Sequence, residues 1–284
     1  MRKVTITKAV ASGNDFLIID NRDNNLSGII KDFKEFAKIA CRRKHSIGAD
    51  GLLVLQDSKS ADFKMRIFNP DGSEVTMCGN GIRCSSLYAY ERKWCGDMMT
   101  IETGAGILEA HIMGDISLTE REGLTGGVKI KMTPPKDIKL DNSIGAGKTI
   151  MNVSSVNTGV PHAIHFVENV EKYPVKDVGS KIRYHKFFEP EGTNVDFVEI
   201  KDKSNITVRT YERGVEDETL ACGTGIVASA IISHLVKDVV SPVSVLTRSG
   251  DMVKVYFKKE RNGFSSVYLE GKAHIVFEGG MHYV

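Results

Sequence analysis

Met77-Cys78-Gly79-Asn80-Gly81-Ile82-Arg83-Cys84 sets a thiol directly before two alternate glycines and then runs into SSLYAYERKW (85–94), an amphipathic helical pattern. Cys78 therefore falls at a helix N-terminus. Far downstream, Ala221-Cys222-Gly223-Thr224-Gly225-Ile226 leads into VASAIISHLV (227–236), so Cys-Gly-x-Gly-Ile opening a helix occurs twice.

The segments around the first copy read as alternating strands and helices. Val4 to Thr7 and Phe16 to Asp20 are strands flanking a turn at Ser12-Gly13-Asn14-Asp15, where Gly and Asn tolerate left-handed backbone. Asp32 to Cys41 spaces its apolar residues helically, Asp50 to Leu55 is an apolar strand, and Asp62 to Asn69 alternates before the turn Asn69-Pro70-Asp71-Gly72. Beyond the helix, Met99 to Thr103, Ile107 to Met113, Ile116 to Thr119 and Val128 to Met132 are short strands, and the first half closes near Gly123 to Gly127. The second half repeats this grammar. Strands around Thr149 to Val156 and Ala163 to Val167 precede a short helix near Asp177 to Arg183, and strands Asp196 to Ile200 and Thr207 to Tyr211 lead to the second thiol. After its helix, Val243 to Leu246, Met252 to Phe257, Val267 to Glu270 and Ala273 to Phe277 finish the chain as strands.

Two further echoes fit a duplicated unit. Gly13-Asn14-Asp15-Phe16 pairs with Thr193-Asn194-Val195-Asp196-Phe197, and Glu102-Thr103-Gly104 with Arg248-Ser249-Gly250. The expected fold is α+β, with two pseudo-symmetric domains. Each is a curved, mostly antiparallel, barrel-like sheet around a central helix, and the active site lies in the interdomain cleft. The N-terminal domain is expected to take residues 1–123 with about 274–284, and the C-terminal domain 124–273.

Composition narrows the function. A chain of 284 residues, 41% hydrophobic and 26% charged, has the make-up of a globular protein. A formal charge of +2 with no basic stripe argues against nucleic acid, and no apolar run approaches the ~20 residues that span a bilayer. The N-terminus lacks a signal-peptide core, so a cytoplasmic location is expected. Five cysteines without a C-x-x-C pair read as free thiols. Cys41, Cys84 and Cys95 lack metal-ligand spacing and read as structural. Neither a metal nor a cofactor is expected. Gly145-Ala146-Gly147-Lys148-Thr149 looks like part of a phosphate loop, but residue 142 is Asn where that loop needs Gly, and a strand follows in place of a helix. A β-turn is expected there.

Two thiols at helix starts suit one reaction well. A helix N-terminus lowers a thiol pKa from ~8.5 toward roughly 3.5–7.5, and the N–H groups beside it form a carboxylate site. If two such sites bracket an amino acid, one sulfur as thiolate removes the α-hydrogen and the other as thiol returns a proton from the opposite face. The result is inversion at carbon.

These residues resemble the diaminopimelate epimerase family nearly end to end. The likeness runs through Gly13-Asn14-Asp15-Phe16, Asn69-Pro70-Asp71-Gly72-Ser73, Met77 to Cys84, Pro161-His162, Gly192-Thr193-Asn194-Val195, and Tyr211-Glu212-Arg213-Gly214 on to Gly225. The resemblance implies cofactor-independent interconversion of LL- and meso-2,6-diaminopimelate in lysine and cell-wall precursor biosynthesis, by a homodimer. It also implies that Cys78 accepts and Cys222 donates the proton, with roles exchanged in reverse. Gly79, Asn80, Gly223 and Thr224 would hold the reacting carboxylate, and Glu212 the reacting amino group. Asn14, Asn69, Asn194 and Arg213 would read the distal centre, while His162 and Glu212 would tune the thiols. Two positions depart from the family pattern. Many members carry Asn where this chain has Val160, with Asn157 nearby as a substitute, and Gln where it has Gly51. Two other functions fit a pair of thiols: a proline or hydroxyproline racemase-like enzyme, and a thiol redox sensor.

Overall fold

The computed structural model describes residues 2–120, 122–146 and 149–283, and the chain forms two compact units. The first comprises Met1–Ile130 with Gly271–Val284, the second Lys131–Glu270.

In the first unit, β1 (Arg2–Ala11) and β2 (Asn14–Asp20) form a hairpin whose turn uses positive φ at Ser12 and Gly13. Helix α1 (Phe33–Ala40), capped by the Asp32 side chain on Lys34 N–H, carries the chain back so that β3 (Gly51–Gln56) runs parallel to β2. β4 (Phe63–Phe68) and the two-residue β5 (Glu74–Val75) follow antiparallel. Helix α2 (Gly79–Glu91) leads to β6 (Met98–Thr103), parallel to β4, and then to β7 (Gly106–Thr119) and β8 (Gly123–Lys131). Leu17, Ile19, Leu52 and Val54 pack with Phe36, Ala37 and Ala40 of α1, whereas Leu53 faces Gly81 of α2. Side chains alternate across a strand, so a strand covered by a helix on each face must be apolar throughout. That is why LLVL in β3 shows no polar alternation.

The second unit repeats this order. β9 (Lys136–Ala146) pairs with β10 (Thr149–Asn157), and β10 forms a hairpin with β11 (Pro161–Phe166). Helix α3 (Val175–Arg183) precedes β12 (Asn194–Ile200), which is parallel to β11 and antiparallel to β13 (Asn205–Glu212). Then come β14 (Asp217–Thr219), helix α4 (Gly223–Lys237), β15 (Val243–Leu246) parallel to β13, β16 (Met252–Glu260) and β17 (Gly263–Tyr283). The last half of β17 lies in the first unit, where it pairs with β1. Element for element, β1–β8 with α1 and α2 match β10–β17 with α3 and α4.

Several expectations change. Ile107–Met113 and Ile116–Thr119 are one strand, interrupted by a register shift after Met113, and the last two expected strands are both part of β17. Gly123 to Gly127 lies inside β8, and β9 has no counterpart in the sequence reading. Helix α2 is not amphipathic. Ser85, Ser86 and even Arg83, at 1% exposure, are buried because the sheet covers that helix on all sides. The Asn14/Asn194 echo also dissolves, since Asn14 opens β2 and Asn194 opens the counterpart of β3. Gly147 and Lys148 of the proposed turn lie outside the described residues.

Candidate active site

Both thiols sit at the residue before a helix. Cys78 (φ −147°, ψ 116°) and Cys222 (φ −118°, ψ 111°) have extended backbone, and their carbonyls accept the first helical bonds, from Ile82 N–H and Ile226 N–H at 2.9 Å each. The N–H groups of Gly79, Asn80, Gly81 and of Gly223, Thr224, Gly225 thus precede each helical ladder, at the positive end of the helix dipole. Each set makes an anion cradle suited to a carboxylate. Cys78 is half-buried and Cys222 is 8% exposed.

In the second unit, a hydrogen-bonded chain reaches Cys222. Thr224 Oγ1 lies 3.4 Å from Cys222 Sγ and 2.9 Å from His162 Nε2, and His162 Nδ1 lies 2.7 Å from Asp196 Oδ2. Thr210 donates to Asp196 Oδ1 at 2.7 Å. His162 and Asp196 are both 0% exposed. Asn194 Oδ1 accepts from Arg213 N–H at 2.7 Å, which turns Asn194 Nδ2 toward Pro161 O and His162 Nε2. The Arg213 guanidinium pairs with Glu191 at 3.4 Å. Burial pushes the Cys222 thiol well above its ordinary pKa, and the Glu212 and Asp196 charges push the same way. The Thr224 hydroxyl and Gly225 N–H oppose that shift without reversing it, so the lowering expected at a helix start is absent here. Burial likewise raises the Glu212 carboxyl.

In the first unit the counterpart is a chain of amides. Arg83 donates to Asn80 Oδ1, to Ser12 Oγ at 2.9 Å and to Lys272 O at 3.2 Å. Asn80 Nδ2 donates to Asn14 Oδ1 at 2.6 Å, and Asn14 Nδ2 to Asp50 Oδ2 at 3.2 Å. Asn69 stands apart in the turn between β4 and β5, where it donates to Ser73 Oγ at 2.9 Å. Burial also raises the remaining thiols, Cys41 to about 12 and Cys84 and the partly exposed Cys95 above their ordinary value.

With both helix starts built this way, the family assignment follows from the match of its model to residues 6–131 and 154–276. The chain belongs to the diaminopimelate epimerase family. It is 42% identical over 280 residues to the diaminopimelate epimerase of Aquifex aeolicus, covering 96% of this chain and 95% of that one. Against the diaminopimelate epimerase of Hydrogenobaculum sp. the identity is 40% over 291 residues, covering 98% of each. Its fold is similar to that of a PhzF-family phenazine biosynthesis protein from Bacillus anthracis, with a TM-score of 0.73 over 99% of this chain and 100% of that one. At 20% identity, that likeness concerns the fold alone.

For a diaminopimelate epimerase, the residues named from the sequence fall into two clusters and one outlier. Cys78, Gly79, Asn80 and Asn14 gather in the first unit, and Cys222, Gly223, Thr224, His162, Asn194, Glu212 and Arg213 in the second. Of the two departures, Gly51 has no room for a longer side chain without movement: a Cβ there would lie 3.2 Å from Phe68 O and 3.3 Å from Phe16 Cδ1. The Asn157 side-chain oxygen accepts from Gly159 N–H at 2.9 Å in its own turn. Asp50, Arg83, Asp196 and Thr210 were not singled out from sequence. Asp196 stands in the Asn-Val-Asp-Phe motif, but only the parallel register of β11 on β12, His162 to Asn194, puts it on one face with His162.

Proposed function

We infer that this chain catalyses the interconversion of LL- and meso-2,6-diaminopimelate by a two-thiol route without a cofactor. The observation that carries the reading is the pair of matching helix starts, each with a cysteine ahead of an N–H cradle, in a chain of this family. In one direction the Cys78 thiolate takes the α-hydrogen. The negative charge that develops on the carbon and its carboxylate is met by the N–H groups at Gly79, Asn80, Gly223 and Thr224. Cys222, held as a thiol by burial and two acids, gives its proton to the opposite face. The enzyme is then left with a Cys78 thiol and a Cys222 thiolate, the form that runs the reverse reaction.

Glu212 binds the reacting ammonium, whose charge supports ionisation of a carboxyl that burial holds up. Asn14, Asn69, Asn194 and Arg213 recognise the distal amino-acid centre, and His162 tunes the thiol beside it. Each compact unit serves as one epimerase domain, and the enzyme works as a cytoplasmic homodimer supplying lysine and cell-wall precursors.

The test is solvent exchange. Purified protein in D2O with no added cofactor should place deuterium at the α-carbon of diaminopimelate while converting the LL to the meso form, and should leave proline untouched. Absence of exchange overturns the reading. Oxidation should inactivate, whereas a redox sensor would need its disulfide for activity.

A further inference from the structure

The chain behind Cys222 has a direction fixed by its ends. An ionised carboxylate only accepts, so Asp196 requires the proton of neutral His162 on Nδ1, and Nε2 becomes an acceptor. Asn194 supports this independently, because its oxygen is held by Arg213 N–H and its amide donor faces Nε2 at 3.5 Å. Thr224 then donates its hydroxyl hydrogen to Nε2, and its oxygen is left to accept from the Cys222 S–H. Three features hold the Asp196 anion in place: the Thr210 hydroxyl, the first turn of α4, and the absence of a side chain at Gly225. A Cβ at Gly225 would strike Asp196 Oδ1 and come within 3.1 Å of His162 Cε1. The charged and titratable groups facing His162 are Asp196 on β12 and Glu212 on β13, and Cys222 at the start of α4 reaches it through the Thr224 hydroxyl. Asp137 and Lys139 on β9 line a cavity shared with His162.

We propose that Asp196 is a positioning residue for Cys222, and that the Thr224 hydroxyl is the bridge over which Cys222 and His162 exchange a proton. The proposal rests on the two-thiol reading above. In the shift, the Cys222 S–H bond breaks as Thr224 Oγ1 takes that proton, and the Thr224 O–H bond breaks as His162 Nε2 takes the other. Two bonds break and two form, with hydrogens and net charge unchanged. A Cys222 thiolate and a His162 imidazolium result, and the imidazolium keeps its Nδ1–H on Asp196. Cys222 thus becomes a base for the opposite enantiomeric centre with its proton stored inside the unit. The Thr224 hydroxyl is committed to this bridge, so Thr224 serves a bound carboxylate through its backbone N–H.

Asp196→Asn tests the proposal by kcat, KM and the pH profile of kcat/KM, which reports the free enzyme. Loss of the counter-charge disfavours the imidazolium. kcat at pH 7 should fall at least about tenfold with KM within about twofold, and the acidic limb should move down by about one pH unit, because the lost negative charge no longer holds protons on the pair. An unmoved acidic limb, whatever the loss of rate, overturns the proposal. Should Asp196→Asn fail to fold, the Thr224 pair decides: Thr224→Ser, which keeps the hydroxyl, should lose much less rate than Thr224→Val, and equal losses overturn the bridge. A wild-type protein that shows no α-deuterium exchange would refute the two-thiol reading itself, which separates the two failures.

Discussion

The two helix starts have nearly the same backbone and opposite chemistry. Behind Asn80, hydrogen bonds run from the Arg83 cation through Asn80 and Asn14 to the Asp50 anion, and neither amide titrates. Behind Thr224 they run from Asp196 through an imidazole and a hydroxyl to the sulfur itself. One chain fixes donors and acceptors in place, and the other lets protons move. A duplicated unit can therefore keep an N–H cradle at both helix starts while the groups behind them differ, two amides in the first unit and a carboxylate, an imidazole and a hydroxyl in the second.

The largest effect that would break this contrast is at the sulfurs. Cys78→Ala and Cys222→Ala should each lower kcat for epimerisation by about 10³-fold or more, read by separating LL and meso product, since each removes a proton-transfer group. Residual activity near wild type in either variant would remove that thiol from the mechanism. Next in size, Asn14→Ala orphans the Asn80 amide and should raise KM about tenfold, for a lost buried hydrogen bond of about 1–2 kcal/mol, without moving the pH profile. A shifted profile would mean that the first unit also tunes a proton.

A smaller effect separates the glycines. Alanine at Gly225 would collide with Asp196, whereas at Gly81 its Cβ would meet Leu53 Cδ2 at 3.1 Å, the end of a side chain able to turn. Gly225→Ala should cost about 1–3 kcal/mol in urea unfolding, and Gly81→Ala should come near zero because Ala favours the helix by about 1 kcal/mol. Smallest is Glu212→Gln. Burial raises the folded-state pKa of Glu212, so the stability linked to that carboxyl is complete below its unfolded pKa and is lost as pH rises through the folded one. Gln should therefore raise Tm by a few degrees at about pH 8 and leave it unchanged at about pH 4, by calorimetry.

Much of the fold was legible because local patterns agreed with it. Asp32 before a helical stretch, Asn69-Pro70-Asp71-Gly72 as a turn, and glycines after each cysteine specify their own backbone. The misreadings share a cause. The serines of α2 look like a solvent face, and Ile107–Met113 and Ile116–Thr119 look like separate strands. Whether a sheet covers a helix on every side, or continues through an irregular step, depends on residues distant in sequence.

The sequence by itself determined the two thiol-bearing helix starts, the order of strands around them and the family, because short-range periodicity and turn chemistry act over a few residues. Only the tertiary structure decided what stands behind each thiol. Asp196 reaches His162 through the parallel register of β11 and β12, and His162 reaches Cys222 through the first turn of α4. A hydrogen-bonded chain of that kind exists only when separate strands and a helix bring its atoms to between 2.7 and 3.4 Å of one another, a distance no spacing along the chain encodes.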